Sequence, residues 1–222
     1  MSHELTLVIG NKNYSSWSMR PWVAMRGLGI PFSERQVKFE SRDWDENIAR
    51  LSPSKLVPVL WEGAIGQGFA TWDTLAIAER LNDLFPEKGV WPRDARARAG
   101  ARSVCAEMHA GFRSLRGAMP MNLRSRHPGK GMNPDVAKDI ARVSEIWAAA
   151  KGPFLFGEFC AADAYYAPVA TRFVTYGVEL SGAAKAYQQR LLAHPAVQAW
   201  TAEGVKETEF VAMDEPYAEA PR

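Results

Sequence analysis

Two adjacent hydroxyls, Ser15 and Ser16, followed by Trp17, stand where a short apolar run, Leu5 to Ile9, gives way to the start of a helix. A helix start exposes unpaired backbone N–H groups and the positive end of the helix dipole, so hydroxyls placed there can donate to a negative charge and help to hold it. A plain capping serine is favoured at the same position whatever the chemistry. A second pair, Asp73 and Thr74, opens another helix and sets an acid beside a hydroxyl at a ready anion site, although capping by Thr71 or Asp73 accounts for these residues singly. Between the two pairs lies Val57-Pro58. A cis bond there costs little and would leave the Val57 N–H and C=O free for a strand-like ligand, whereas a trans proline would simply begin an edge strand.

Other chemistries are poorly supplied. The two cysteines, Cys105 and Cys160, and the four histidines, His3, His109, His127 and His194, are scattered without metal-ligand spacing, so neither a metal site nor a disulfide framework is expected. A formal net charge of +2 is too mild for a nucleic-acid partner. The arginines of RDARARAGAR read as a solvated or subunit-facing surface. The glycines of GAIGQG lie within a hairpin, not between strand and helix, and so fit no dinucleotide fingerprint. The apolar run at Leu5 to Ile9 is too short for a signal peptide, and no segment approaches membrane-spanning length, which predicts a cytoplasmic protein without a membrane partner.

The elements that must position these groups fall into two kinds. A strand at Leu5 to Ile9 precedes a helix from about Trp17 to Leu28, stopped by Gly29. An extended piece from Pro31 through Phe39 leads to a helix from Trp44 to Leu51. Leu56 to Trp61 and Ile65 to Ala70 read as a hairpin around a tight turn at Glu62-Gly63-Ala64, and Trp72 to Phe85 as a helix. Strand signals then stop. Ala97, Ala101, Val104, Met108, Phe112, Leu115 and Met119 step by threes and fours as one helical run, and so do Val136 to Ala150. Further helices are expected at Ala161 to Tyr176, Ala183 to Leu192 and from Pro195 through Trp200, with an irregular tail from Glu209 to Arg222. The division is 1–85 for the α/β part, 86–94 for a linker, and 95–222 for an all-helical domain.

That architecture and four motifs in order resemble the cytosolic glutathione transferases, with a thioredoxin-like first domain and a C-terminal helical bundle. SSWSMRPWVAM resembles the family's serine-type corner, especially the SSC-type stretch of the zeta class; SPSKLVPVL its cis-proline segment; TWDTLAIAERL its acid-hydroxyl helix start; and GEFCAADAYYAPV its buried capping-box helix. The resemblance implies glutathione as co-substrate, its thiolate stabilised by Ser15, with Ser16 the close contender. Lowering a thiol pKa by two units takes about 2.7 kcal/mol, within reach of one charge-assisted bond plus the dipole. It also implies that Ser16, Trp17, Lys55, Leu56, Val57, Pro58, Asp73 and Thr74 bind the tripeptide. Lys55 would serve its glycine-end carboxylate, and Asp73 and Thr74 its γ-glutamyl end.

Trp17 stands where the zeta pattern has cysteine, which favours conjugation over isomerisation, while a glutathione-dependent isomerase or peroxidase and a non-catalytic binding module are the other readings. His109, Phe112 and Arg116, sharing one face of the first helix of the second domain, are the candidates for the electrophile pocket. Arg20 would hold a carboxylate at the domain boundary or form a partly buried salt bridge. Cys160 is expected to be buried and inert, with Asp163 serving the helix start. The family also implies a homodimer.

Overall fold

The computed structural model describes residues 4–218, so His3 and the last four residues of the tail lie outside the described part. Four strands, β1 (Leu5–Ile9), β2 (Ser33–Gln36), β3 (Val59–Glu62) and β4 (Phe69–Trp72), form one sheet in the order β2-β1-β3-β4. β1 runs parallel to β2 across α1 (Ser16–Gly27), and β1–β3 and β3–β4 are antiparallel, with Leu7 opposite Leu60 and Leu60 opposite Thr71. The period of two divides β1 between two cores. Leu5, Leu7 and Ile9 face the large core with α1 and α3 (Thr74–Leu84), while Val8 turns to a smaller one under α2 (Arg42–Leu51) with Val37, Ile48, Leu51, Val59 and Trp61.

After a 3-10 turn at Pro86–Lys88 the chain is helical: α4 (Ala95–Ala110), α5 (Arg113–Ala118), α6 (Pro134–Ala148), α7 (Ala161–Tyr176), α8 (Gly182–Ala193) and α9 (Pro195–Gly204). α7 is the axis of this half. Every one of its residues except Val174 is buried, as an element apolar all round must be. Asp163 serves its start by accepting from the Cys160 N–H at 3.0 Å, the Leu155 N–H at 3.0 Å and the Tyr187 hydroxyl at 2.9 Å. α7 packs on α1, so one apolar core runs from the sheet into the bundle.

Three sequence expectations are corrected. The third strand begins at Val59, not Leu56, because the backbone reverses at Lys55 (φ 57°) and leaves Leu56 66% exposed ahead of the cis Val57-Pro58 peptide. Its return strand is Phe69–Trp72, not Ile65–Ala70, and the connection is a glycine loop. A Cβ at Gly68 would lie 2.1 Å from the Glu62 carbonyl oxygen, so only glycine allows that approach. The helical run through Met119 breaks at Gly111 and at Phe112, which takes a left-handed conformation (φ 53°) and starts α5. The tail is irregular as expected, apart from a 3-10 turn at Ala212–Asp214.

Candidate active site

Ser15 and Ser16 sit together at the start of α1, both nearly buried, but their hydroxyls are used differently. Ser15 is the cap: its Oγ accepts from the Ser18 N–H at 3.3 Å and donates to Ser18 Oγ at 2.8 Å. Ser18 Oγ in turn accepts from the Gly10 N–H, which ties the corner to the end of β1. Ser16 Oγ accepts from Nη2 of Arg172 at 3.1 Å, a bond that leaves its own proton uncommitted. Thr74, at the start of α3, repeats this pattern: its Oγ1 accepts from the Tyr165 hydroxyl at 2.7 Å. Both supporting donors come from α7. Two helix starts in the α/β part are thus each backed by one residue of the same buried helix.

The cavity beside Ser15, Ser16 and Trp17 has a volume of about 370 Å3 and is also lined by Leu56, Val57, Arg116 and Arg172. It shares Trp17, Leu56 and Val57 with an adjoining cavity of about 350 Å3 that reaches Pro58, Asp73 and Thr74. The two form one cleft along the front of the α/β part. Val57 lies between them, and among the described residues neither its N–H nor its C=O makes a hydrogen bond. Asp73 is held at φ 69° and ψ 137°, a conformation costly for a side chain with a Cβ. It accepts from the Leu75 N–H, and its other oxygen lies 3.3 Å from Nε2 of His109. His109 also meets Trp17 edge-on, with ring centroids 5.0 Å apart.

Behind the cleft stand arginines that make no ion pair among the described residues. Arg172 is fully buried, donates to the Met119 carbonyl and Ser16, and makes no ion pair among the described residues. Burial, with repulsion from Arg20 and Arg116, pulls its pKa down to about 9. Arg20 does not form the partly buried salt bridge the sequence offered as one alternative: it makes no ion pair among the described residues. It is wholly buried, its Nε and Nη1 have no hydrogen-bond partner among the described residues, and it lies 4.1 Å from the Trp17 ring and 4.9 Å from the Tyr165 ring. Burial lowers its pKa to about 10. Arg116 stacks 4.8 Å from Trp17 and donates to the His109 and Gly111 carbonyls, closing the end of α4. A cleft of this kind favours an anion: hydroxyl donors, helix N-termini and guanidinium groups converge on it.

The structure therefore brings together Ser15, Ser16, Trp17, Leu56, Val57, Pro58, Asp73 and Thr74. Lys55 is exposed on the preceding loop and lines neither cavity. His109 and Arg116 line a neighbouring hollow, whereas Phe112 is buried in the core away from both cavities and that hollow, because the left-handed break turns it off the shared face. Trp22 is core, as its spacing suggests. Both cysteine thiols are buried and pushed well up by desolvation, which makes them inert. Arg172, Tyr165 and Asp214 were missed. For Arg172 a signal existed: it is the only basic residue in the otherwise apolar stretch of α7.

A thioredoxin-like sheet whose α1 corner and α3 start open on a cleft backed by a helical bundle is the fold of the glutathione transferases. Residues 14–84 match the family described as glutathione S-transferase, N-terminal domain. The chain is similar in structure to a glutathione transferase homologue from Burkholderia gl BGR1, solved with bound glutathione, at 23% identity and a TM-score of 0.69 over 90% of this chain and 98% of that one. It is similar to glutathione transferase Omega 1C from Trametes versicolor at 16% identity and a TM-score of 0.72, covering 92% and 94% of the two chains. A homologue from sulfitobacter, also with bound glutathione, is similar at 20% identity and a TM-score of 0.68, covering 92% and 100%. Among the described residues no helix is long and apolar enough to cross a membrane, and no cluster of metal-ligating side chains occurs.

Proposed function

We propose that the chain is a cytoplasmic glutathione transferase that holds glutathione as its thiolate at the Ser15-Ser16 corner for attack on a small electrophile. The hydrogen bond from buried Arg172 to Ser16 Oγ carries this reading, because it polarises a hydroxyl whose proton is still available at the N-terminus of α1. Ser15, to which the family resemblance assigns the role, already gives its proton to Ser18. Ser16 is thus the donor to sulfur and Ser15 the anchor of the corner. The unengaged Val57 backbone suits the cysteinyl unit, and Thr74, with its proton equally free, suits the γ-glutamyl carboxylate, with Asp73 beside it for the amino group. Leu56, Pro58 and Trp17 wall the tripeptide site, and Lys55 reaches the glycine end from the loop. The part of the first cavity lined by Arg116 and Arg172 is the side left for the electrophile, with His109 beside Arg116 in the neighbouring hollow. Bound glutathione in two of the structural neighbours supports the choice of thiol.

Titrating the bound thiol by its thiolate absorbance tests this directly. Ser16→Ala is expected to raise the bound thiol pKa by about two units and to lower kcat/KM for a chromogenic electrophile about 10²-fold. Ser15→Ala should chiefly cost about 1 kcal/mol of stability as a lost cap. The reverse pattern would return the role to Ser15, and a bound thiol as weakly acidic as free glutathione would end the proposal. The chain is further proposed to be a homodimer, supported by the apolar edge strand β4, where Phe69 is 62% and Trp72 47% exposed. Sedimentation should then give twice the 24.6 kDa chain mass, and a monomer at micromolar concentration would refute it.

A further inference from the structure

The tail after α9 is built into the cleft. Glu207 accepts from the Lys12 and Asn13 N–H groups at 2.9 and 3.0 Å, directly behind the serine corner. Arg124 donates to the Glu207 and Glu209 carbonyls and to Glu215, and the Tyr14 hydroxyl donates to Glu215 at 2.6 Å. Tyr217 closes the far end on the Ala118 carbonyl at 2.7 Å. Between these ties the 3-10 turn presents Asp214 to the cavity that Ser16, Arg116 and Arg172 also line. The Asp214 carboxylate accepts no hydrogen bond among the described residues and pairs with neither arginine: Arg172 donates from Nε to Met119 and from Nη2 to Ser16, and Arg116 donates from Nη1 to His109 and Gly111, so Nη1 of Arg172 and Nε and Nη2 of Arg116 have no protein partner among the described residues. Of the charged side chains lining that cavity it is the acid, against two guanidinium groups.

We propose that Asp214, fixed by the tail, sets the charge preference of the electrophile pocket: ionised, it disfavours carboxylate-bearing electrophiles, and protonated, it admits them opposite Arg172 and Arg116. This rests on the glutathione reading for its reaction. Burial raises the Asp214 carboxyl to about 6, with Arg172 on α7 opposing the rise and Glu215 on the tail and Glu40 after β2 adding to it. Arg116 on α5 and Tyr14 in the loop after β1 are the other titratable groups on the cavity. The sign follows: below pH 6 the lining carries two positive charges, and above it one, with a carboxylate facing the ligand. Preference for an anionic electrophile over a neutral one therefore falls as pH rises through 6.

The test uses 4-chloro-3-nitrobenzoate and its methyl ester. In both, the glutathione sulfur bonds to the ring carbon bearing chlorine, chloride leaves with the bonding pair, and the thiol proton goes to solvent. The ratio of their kcat/KM values cancels the ionisation of the thiol, which both share. Between pH 5 and 7.5 the wild-type ratio of acid to ester is expected to fall at least fivefold, and in Asp214→Asn to stay flat and at neutral pH to exceed the wild-type ratio at least threefold. A flat wild-type ratio, or the same slope in Asp214→Asn, overturns the proposal. If neither compound is turned over, the glutathione reading is the one in question. Calorimetry of 3-nitrobenzoate against its methyl ester, without glutathione, then decides the pocket's preference by the same ratio, and binding of neither overturns it.

Discussion

Lys12 and the arginines Arg20 and Arg172, of which Arg172 lines the cleft, are all buried cations, but they are treated in opposite ways. At the rear, Lys12 is 5% exposed and lies between the carboxylates of Glu34 and Glu203, with the rings of Trp22 and Trp200 at 5.0 and 5.5 Å. At the front, Arg172 has a carbonyl and a hydroxyl as partners, and Arg20 has two ring faces and two unpartnered nitrogens. Desolvating a cation costs several kcal/mol unless charge is supplied nearby. At the rear the chain supplies it from its own sequence. At the front no carboxylate pairs with either arginine among the described residues, and on the proposed function the compensating charge is the ligand's, which is how a binding site would differ from a structural ion pair built of the same residue types.

The sharpest way to break that contrast is at the rear. Lys12→Met removes the cation from between two carboxylates and leaves them facing each other across an apolar side chain. Their partial exposure, 31% for Glu34 and 51% for Glu203, lets water take up part of the loss, so the cost is placed at about 2–3 kcal/mol and not at the full penalty of a sealed pair. Urea unfolding at neutral pH measures it. A loss under about 0.5 kcal/mol would mean that Lys12 contributes no more than an exposed surface pair, and the comparison would fail on its stronger side.

Sequence alone revealed elements more readily than partnerships. β1 and α7 were legible to the residue because each carries its own signal: an apolar strand run ended by polar residues, and a capped helix apolar on all sides. Ser15, Ser16, Asp73 and Thr74 were legible as helix starts with donors to spare. What turned Ser16 from a capping type into a polarised donor was not: its arginine is 156 positions away, and no local pattern encodes that meeting. The left-handed Phe112 was hidden because a non-glycine in that conformation looks, in sequence, like one more apolar residue at helical spacing. Asp214 was hidden for the opposite reason. A short turn in a polar tail has no period, and only the ties of Glu207, Glu215 and Tyr217 give it a place.

A smaller effect, opposite in sign, is expected at the front. The fall of the Arg20 pKa from its ordinary 12.5 to about 10 corresponds to about 3 kcal/mol held against the charged form at neutral pH. Stacking on Trp17 and Tyr165 returns about 1 kcal/mol from each ring. The balance leaves the guanidinium costing the fold about 1 kcal/mol, so Arg20→Met, close in volume and without a charge to desolvate, should raise stability by about that amount. Glutathione affinity should fall about five- to tenfold in the same variant, because the anion loses part of the field that faces it. Thermal unfolding and calorimetry on one preparation read both. A variant that is less stable yet binds glutathione unchanged would make Arg20 a packing strut between two aromatic rings, and the charge left uncompensated at the front would then be an accident of packing, not a feature of the site.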